Sequence, residues 1–403
     1  MNNKPPIPVN EMNRMIKLSE LDLDYSDIQE SLKDLTKLAA KVAGTSISLI
    51  NLIDSFTQWT VARYGLDLEQ MTREESVCQY TIVSKESFEV PDLTADDRFK
   101  EQFYVTGPPK VTYYFGVPLQ TDDGYNLGAL CVLDQAGKEI SPEKVELLKI
   151  IANEIVNRLT AINVIQQLQS KVKEAKETQR KVAHDIRGPL GGIISLAQII
   201  SDQGDSNKME QVLEFINLIQ KSGKSLLELA NEILTTSKTI ETKQEIIKPN
   251  EFNLQVLKDK LEKLYSAQAK PKHINFSVNI IDNNGEIPFS KNKILQIAGN
   301  LISNAIKFTP ENGSVIINLS LNLEKDGKKL QITVIDTGIG MNEEAIQQIQ
   351  SGTASSTEGT GGEQGYGFGL SLVTHLLKGL HGSMEIDSKP GAGAEFKVTM
   401  PQS

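Results

Sequence analysis

Cysteine is nearly absent. Cys78 and Cys131 are the only two in 403 residues, too few for a disulfide framework and suited to a reducing compartment. Positive charge is also in short supply, with 42 Lys and Arg against 52 Asp and Glu and a net charge of -10. Bulk binding to nucleic acid or to an anionic membrane needs clustered cations, so neither is expected as a partner. No uncharged apolar run approaches the roughly 18 residues of a membrane span. The nearest, "LLKIIANEIVNRL", carries Lys149, Glu154 and Arg158. The first twenty residues lack the apolar core of a signal peptide, which leads to an expected cytoplasmic location. Histidine is scarce too, with four in the chain; one of them, His184, stands beside an acid in a helical stretch.

What is present is a change of period along the chain. Residues 1–20 read as an N-terminal tail. From Tyr25 to Ala43 apolar residues recur at helical spacing (Ile28, Leu32, Leu35, Leu38). Then "SISLINLID", "QWTVARYG", "SFEVPDL", "TYYFGVPLQ" and "NLGALCVLD" read as strands bounded by Asp, Gly or Pro. A helix followed by a mostly antiparallel sheet makes an α+β domain over 21–140.

A long helix begins at "SPEKVELLKII", where a Ser, Pro142 and Glu143 make a good start, and 141–175 reads as a coiled-coil connector. Leu168, Val172, Ala175, Gln179, Val182, Ile186 and Pro189 form a heptad seam. A second seam, from Val212 and Ile216 through Ile219, Gly223, Leu226 and Ala230 to Ile233, follows a polar loop near Gly204. Over 176–245 this predicts an antiparallel helical hairpin. One hairpin cannot cover both seams, whereas two copies can, so a homodimeric four-helix bundle is expected.

Residues 246–403 return to a mixed pattern. Strands are predicted in "INFSVNII", "SVIINLSLNL", "KLQITVID" and "AEFKVTMP", and helices in "NLQVLKDKLEKLYSAQAK", "SKNKILQIAGNLISNAIKF" and "GLSLVTHLLKGL". Three segments here carry chemistry. In "GNLISNAIKFTP", Asn300 and Asn304 are four apart and share a helix face with Lys307. An amide oxygen suits a hard Mg²⁺ ion, and the lysine suits the phosphates beside it. In "VIDTGIGM", Asp336 ends a strand and can accept from an adenine amino group, while Gly338 and Gly340 let backbone approach the ring. In "GYGFGLSLV", Gly365, Gly367 and Gly369 open a helix whose N–H groups can cradle an anion. Singly each is weak; together, in this order and separated by a Gly-, Ser- and Thr-rich segment, they point to one nucleotide pocket.

Those three segments resemble the N, G1 and G2 boxes of sensor histidine kinases, and the likeness extends over about residues 170–403. The resemblance implies a GHKL-type α/β sandwich, shared with gyrase and the Hsp90 chaperones, that binds ATP. It also implies Asn304 as the Mg²⁺ ligand, Asn300 and Lys307 near phosphate, Asp336 at adenine, and a lid from about Met341 to Gln364. A phenylalanine-bearing stretch usual in such lids is not evident. His381 matches a structural His-Gly of the family, and with His375 it is placed on the helix after the glycines.

"HDIRGPL" resembles the phosphoacceptor box of the same kinases. The seam turns Val182 and Ile186 inward, so His184 falls at an outward, f-type position. A neutral imidazole is a nucleophile through one nitrogen, and Asp185 can orient and accept the proton on the other. Pro189, with Gly188, softens the helix below it. Relatives often carry Thr, Asn or Gln at the fourth position after the histidine, where it positions water for dephosphorylation; Gly188 has no side chain, so weak phosphatase activity is expected.

The N-terminal domain resembles a GAF domain, whose ligand the sequence does not name. Cys78 is followed by Gln79, not by the histidine of bilin-binding relatives, and reads as a small buried hydrophobe, as does Cys131. Trp59 and Tyr64 read as packing residues. The combined expectation is a soluble, homodimeric sensor histidine kinase. It would move the ATP γ-phosphate to His184 and then to an aspartate on the receiver domain of a separate response regulator. A degenerate nucleotide-binding scaffold and a GHKL-type ATPase are the alternatives.

Overall fold

The computed structural model describes residues 5–25, 28–203, 209–235, 251–291, 293–324, 327–351, 359–361 and 367–402. Within these, the side chains of 170, 173–175, 177, 178, 180–185, 228–235, 350 and 351 are not described. Two compact units emerge: Met1–Val164 together with Glu245–Ser403, and Ile165–Gln244.

The first unit begins with α1 (Glu11–Glu20), α2 (Gln29–Ala43), β1 (Ile47–Ile53), β2 (Thr57–Tyr64), β3 (Gln70–Thr72), α3 (Cys78–Thr81), β4 (Phe88–Val90), α4 (Phe103–Thr106), β5 (Tyr113–Gln120) and β6 (Asn126–Asp134). The strands form one sheet in the order β3-β2-β1-β6-β5-β4, antiparallel at every pairing. Both faces are covered, which is why β1 and β5 read as continuous apolar runs. Ile50, Leu52, Phe115, Val117, Leu130 and Val132 meet the helices on one face. Ile47, Leu49, Ile53, Tyr114, Cys131 and Leu133 alternate with them and build a second core on the other. Helix α2 buries Leu32, Leu35, Ala39 and Ala43 and stops at Gly44, whose φ of 76° ends it in the left-handed region.

Residues 1–20, expected as a tail, instead carry α1. Its signal is masked by charge: Met15 and Leu18 are buried in the core, but so are Glu11 and Arg14. Arg14 grips Glu11 with Nε and Nη2, both at 2.8 Å, and Arg73 reaches the same carboxylate at 2.6 Å. Burial pushes the Glu11 carboxyl up, and the guanidiniums of Arg14 and Arg73 outweigh that, bringing it down to about 2.

Helix α5 (Pro142–Gln203) runs unbroken through Gly188 and Pro189. Its first turns belong to the N-terminal core, where Leu148, Ile151, Ile155 and Leu159 are buried. The boundary expected at residue 140 therefore falls inside this packing. Helix α6 is Met209–Thr235. Among the described seam residues of this second unit, Leu168 is 56% and Ile216 48% exposed.

The first unit resumes with β7 (Glu251–Phe252), α7 (Leu254–Ala269), β8 (Asn275–Ile280), β9 (Phe289–Ser290), α8 (Ile294–Phe308), β10 (Ser314–Glu324), β11 (Gly327–Asp336), α9 (Glu343–Ser351), α10 (Gly369–Gly379), β12 (Ser383–Ser388) and β13 (Ala394–Gln402). A five-stranded sheet has the order β12-β13-β11-β10-β8, parallel only between β10 and β8. Alternate residues face α7, α8 and α10, including Ile317, Leu319, Ile332, Val334 and Val398. The other face is partly open, as a two-layer α/β sandwich requires. Asn253 caps α7 by accepting from the Val256 N–H at 2.8 Å. His381 lies beyond the end of α10, at φ 54°, and not on the helix as expected.

Candidate nucleotide site

Helix α8 is buried almost all round, including its polar side: Asn300, Asn304 and Lys307 are each no more than 7% exposed. Burying an amide or ammonium costs free energy unless a partner replaces water. Asn300 has partners. Its Nδ2 donates to the Gln296 carbonyl at 2.8 Å, and its Oδ1 accepts from the Ser55 hydroxyl. Asn304 has not met all its needs, since Nδ2 is buried with no hydrogen-bond partner. The Lys307 ammonium lies 4.9 Å from the Phe308 ring centroid and 5.6 Å from that of Phe56.

Asp336, at the end of β11, is buried and accepts at Oδ1 from the N–H groups of Gly338, at 2.8 Å, and Ala394, at 3.2 Å. Burial pushes its carboxyl up, and those two N–H bonds work against the rise. Among the described residues both of these bonds fall on Oδ1, which leaves Oδ2 for an outside donor. Gly338 and Gly340 have a reason the sequence did not disclose. A Cβ on Gly338 would lie 2.5 Å from the Phe308 carbonyl oxygen, and one on Gly340, at φ 64°, only 2.0 Å from that of Lys389. Gly338 lets the strand end close against α8, and Gly340 lets the chain beyond it pass the turn between β12 and β13.

Gly369 opens α10, and Gly367 takes φ 76° just before it. A Cβ on Gly369 would lie 3.0 Å from Asn300 Oδ1 and 2.8 Å from Phe56 Cε2, so α8 and the start of α10 border one space. Gly365 lies outside the described residues, as do 352–358 and 362–364 of the expected lid. Within that lid the structure adds α9 and one anchor that spacing did not disclose: the Thr360 hydroxyl donates to the carbonyls of Lys307 and Thr309 and accepts from Lys272 Nζ, all within 3.1 Å. Asn300, Lys307 and Gly369 are thus brought together, with Asn304 on the same helix and Asp336 where β11 closes against the end of α8. His184 and Asp185 are on α5; their side chains lie outside those described.

The unpartnered Asn304 Nδ2 is a buried donor that suits a phosphate oxygen, and the Oδ1 of the same amide is the kind of oxygen that a hard cation takes. Among the described residues there is no cluster of three His, Cys, Asp or Glu suited to a metal. Any Mg²⁺ here would therefore rely on Asn304, waters and phosphate oxygens.

In the N-terminal domain Cys78 and Cys131 are both buried, and the Asn51 amide donates to their sulfurs at 3.2 and 3.3 Å. Trp59 is buried and packs edge-on to Tyr265 at 5.8 Å, whereas Tyr64 is 37% exposed.

Three family models match this chain in succession. A GAF domain matches residues 27–159, a His Kinase A (phospho-acceptor) domain 175–241, and a histidine kinase-, DNA gyrase B- and HSP90-like ATPase 290–403. The chain has the architecture of a sensor histidine kinase. Among curated relatives, the autoinducer 2 sensor kinase/phosphatase LuxQ of Vibrio vulnificus is 32% identical over 247 residues, which is 59% of this chain and 27% of that protein. The sensor protein EvgS of Escherichia coli K12 is 29% identical over 246 residues, 60% of this chain and 20% of that one. A cyclic di-GMP phosphodiesterase of Pseudomonas aeruginosa is 36% identical over 156 residues, 38% of this chain and 27% of that one. The chain spans about a quarter of the length of such relatives. Of solved structures, the catalytic domain of histidine kinase ThkA aligns over 38% of this chain and 94% of its own, at 24% identity and a TM-score of 0.32. Among the described residues, no helix is long and apolar enough to cross a membrane.

Proposed function

We propose that this chain is an ATP-dependent protein-histidine kinase that phosphorylates itself on His184 and passes the phosphoryl group to an aspartate of a separate receiver domain. The observation that carries the reading is the buried polar face of α8, with an unsatisfied Asn304 amide, in the region matched by the ATPase model. It stands downstream of a phospho-acceptor match that contains His184.

In this reading Asp336 accepts from the adenine amino group through Oδ2. Asn300 and Lys307 attend the phosphates, and N–H groups at Gly365, Gly367 and Gly369 cradle them. Asn304 would hold a Mg²⁺ ion, which would supply charge neutralisation on the transferring phosphoryl group. The His184 imidazole attacks in line, a bond forms from nitrogen to the γ-phosphorus, and the bond to the β,γ-bridging oxygen breaks, releasing ADP. Asp185 takes the proton that the other ring nitrogen gives up.

The chain divides functionally into a GAF sensor, whose core takes in α1 and the first turns of α5, a signalling helix up to about residue 175, a dimerisation and phosphotransfer hairpin (176–245) and the ATP-binding domain (246–403). The open seam residues of α5 and α6 support a homodimer, in which a second copy covers them. Gly188 offers no side chain to position water, so regulator dephosphorylation is slow. The test is incubation with γ-labelled ATP and Mg²⁺. Acid-labile label on the wild type and none on His184→Gln is expected. Nucleotide binding without label would instead mark a scaffold, and hydrolysis without label an ATPase.

A further inference from the structure

The polar face of α8 is buried, and part of its cover comes from the N-terminal domain. The turn between β1 and β2 places Ser55 and Phe56 against α8 and the start of α10. Ser55 donates to Asn300 Oδ1, and Phe56 stands 5.6 Å from the Lys307 ammonium and in contact with the glycine that opens α10. We propose that this turn is an intramolecular plug of the nucleotide site, so that docking of the N-terminal domain and binding of Mg·ATP exclude each other.

The plug uses the site's own chemistry. A hydroxyl satisfies the Asn300 amide, and an aromatic face provides the lysine with a weak counterpart to phosphate. The ring borders the first residue of α10, the end of that helix whose N–H groups would meet an anion. Its shape is set from within its own domain. The backbone carbonyls of Ile53, Asp54 and Phe56 accept, respectively, from Arg14 Nη1 at 2.7 Å, Arg73 Nη1 at 3.1 Å and the Arg73 N–H at 2.9 Å. Those are the arginines that hold Glu11, so α1 and the turn form one preassembled element. Phe56 itself belongs to neither apolar core. A side chain held out of its own core, on a pre-shaped turn, is suited to a partner.

Further contacts set the docked pose without touching the nucleotide site. Asp24 and Lys260 form an ion pair at 2.5 Å, the Lys293 N–H donates to Asp22 at 2.8 Å, and the Gln70 amide donates to the Leu264 carbonyl at 2.8 Å. Trp59, the one tryptophan of the chain, meets Tyr265 across the same boundary. An input that loosens these contacts would raise the fraction of open site, and apparent nucleotide affinity scales with that fraction.

The proposal rests on the nucleotide-site reading, and the experiment separates the two. Mg·ATP binding to the full chain is measured by calorimetry for wild type, Phe56→Ala, Asp24→Lys and the charge-swapped Asp24→Lys/Lys260→Asp pair, with circular dichroism to check folding. Phe56→Ala and Asp24→Lys are expected to bind about tenfold tighter, and the swap to return towards wild type. Nucleotide should also shift the Trp59 emission of the wild type as Tyr265 moves away. Wild-type affinity in every folded variant, with unmoved emission, overturns the plug and leaves the nucleotide site standing. Absence of binding in all of them, Phe56→Ala included, overturns the site and the plug with it.

Discussion

Two parts of this chain treat leucine and isoleucine in opposite ways. In the unit built from the terminal segments, Leu257, Leu261, Leu301 and Ile302 are fully buried, whereas on α5 and α6 Ile194 and Leu227 are 60% and 67% exposed. Composition does not separate them, since both are amphipathic. The difference is closure. A sheet with helices on it covers its own apolar face, but two helices alone do not cover theirs. The first unit closes its own core in one copy; the second leaves apolar side chains open among its described residues.

The largest effect that sharpens this contrast lies inside the complete unit. Glu11→Gln leaves two buried guanidiniums without their carboxylate and is expected to cost about 3–5 kcal/mol, read as a lowered denaturation midpoint. The folded-state pKa of Glu11, about 2, lies below its ordinary value. Its stabilisation is therefore full above the unfolded-state value of 4.5 and fades as pH falls from there towards 2. The variant should lose that part of the acid dependence. Equal acid sensitivity in both proteins would show that the network contributes nothing.

A smaller effect belongs to the open unit. If the proposed dimer covers this seam, Leu168→Glu or Ile216→Glu places a charge within it and should weaken dimerisation on the order of 100-fold. Sedimentation equilibrium reads this directly, with the fold of the first unit unchanged. A wild type that is monomeric at every concentration would remove the contrast altogether.

The smallest returns to the complete unit. Asp336→Asn keeps the shape and removes the carboxylate, and should cost about tenfold in ATP affinity. Because burial raises the Asp336 pKa, wild-type affinity should fall on acidification at a pH above the ordinary carboxylate value of 3.8, while the variant stays flat. A parallel pH profile in the two would separate Asp336 from adenine recognition.

How much of this was legible in the sequence depended on distance along the chain. Strands β1, β2, β4, β5, β6, β8, β10, β11 and β13 announced themselves through apolar or β-rich runs, and α2, α7, α8 and α10 through helical spacing. Other short or edge elements, β3, β7, β9 and β12, did not. Strand β12, "SMEIDS", carries charge and lies at the sheet edge, where half its residues face solvent. Helix α1 hid behind an acid and an arginine that look like surface residues until Arg73, 62 positions away, joins them. The site followed the same rule. Asn300, Asn304 and Lys307 are neighbours on one helix, so their spacing disclosed them. Ser55 and Phe56 could not be found that way, because Ser55 meets Asn300 across 245 residues and a serine in a turn carries no signal of its own.

The most direct test of the whole account is to find where the phosphoryl group goes. After incubation with Mg·ATP, the protein is digested at neutral pH and its peptides mapped by mass spectrometry. The account predicts one added phosphoryl group, on His184, that disappears after brief acid treatment. A phosphoryl group fixed on another side chain, or none on a protein that demonstrably binds the nucleotide, would contradict it.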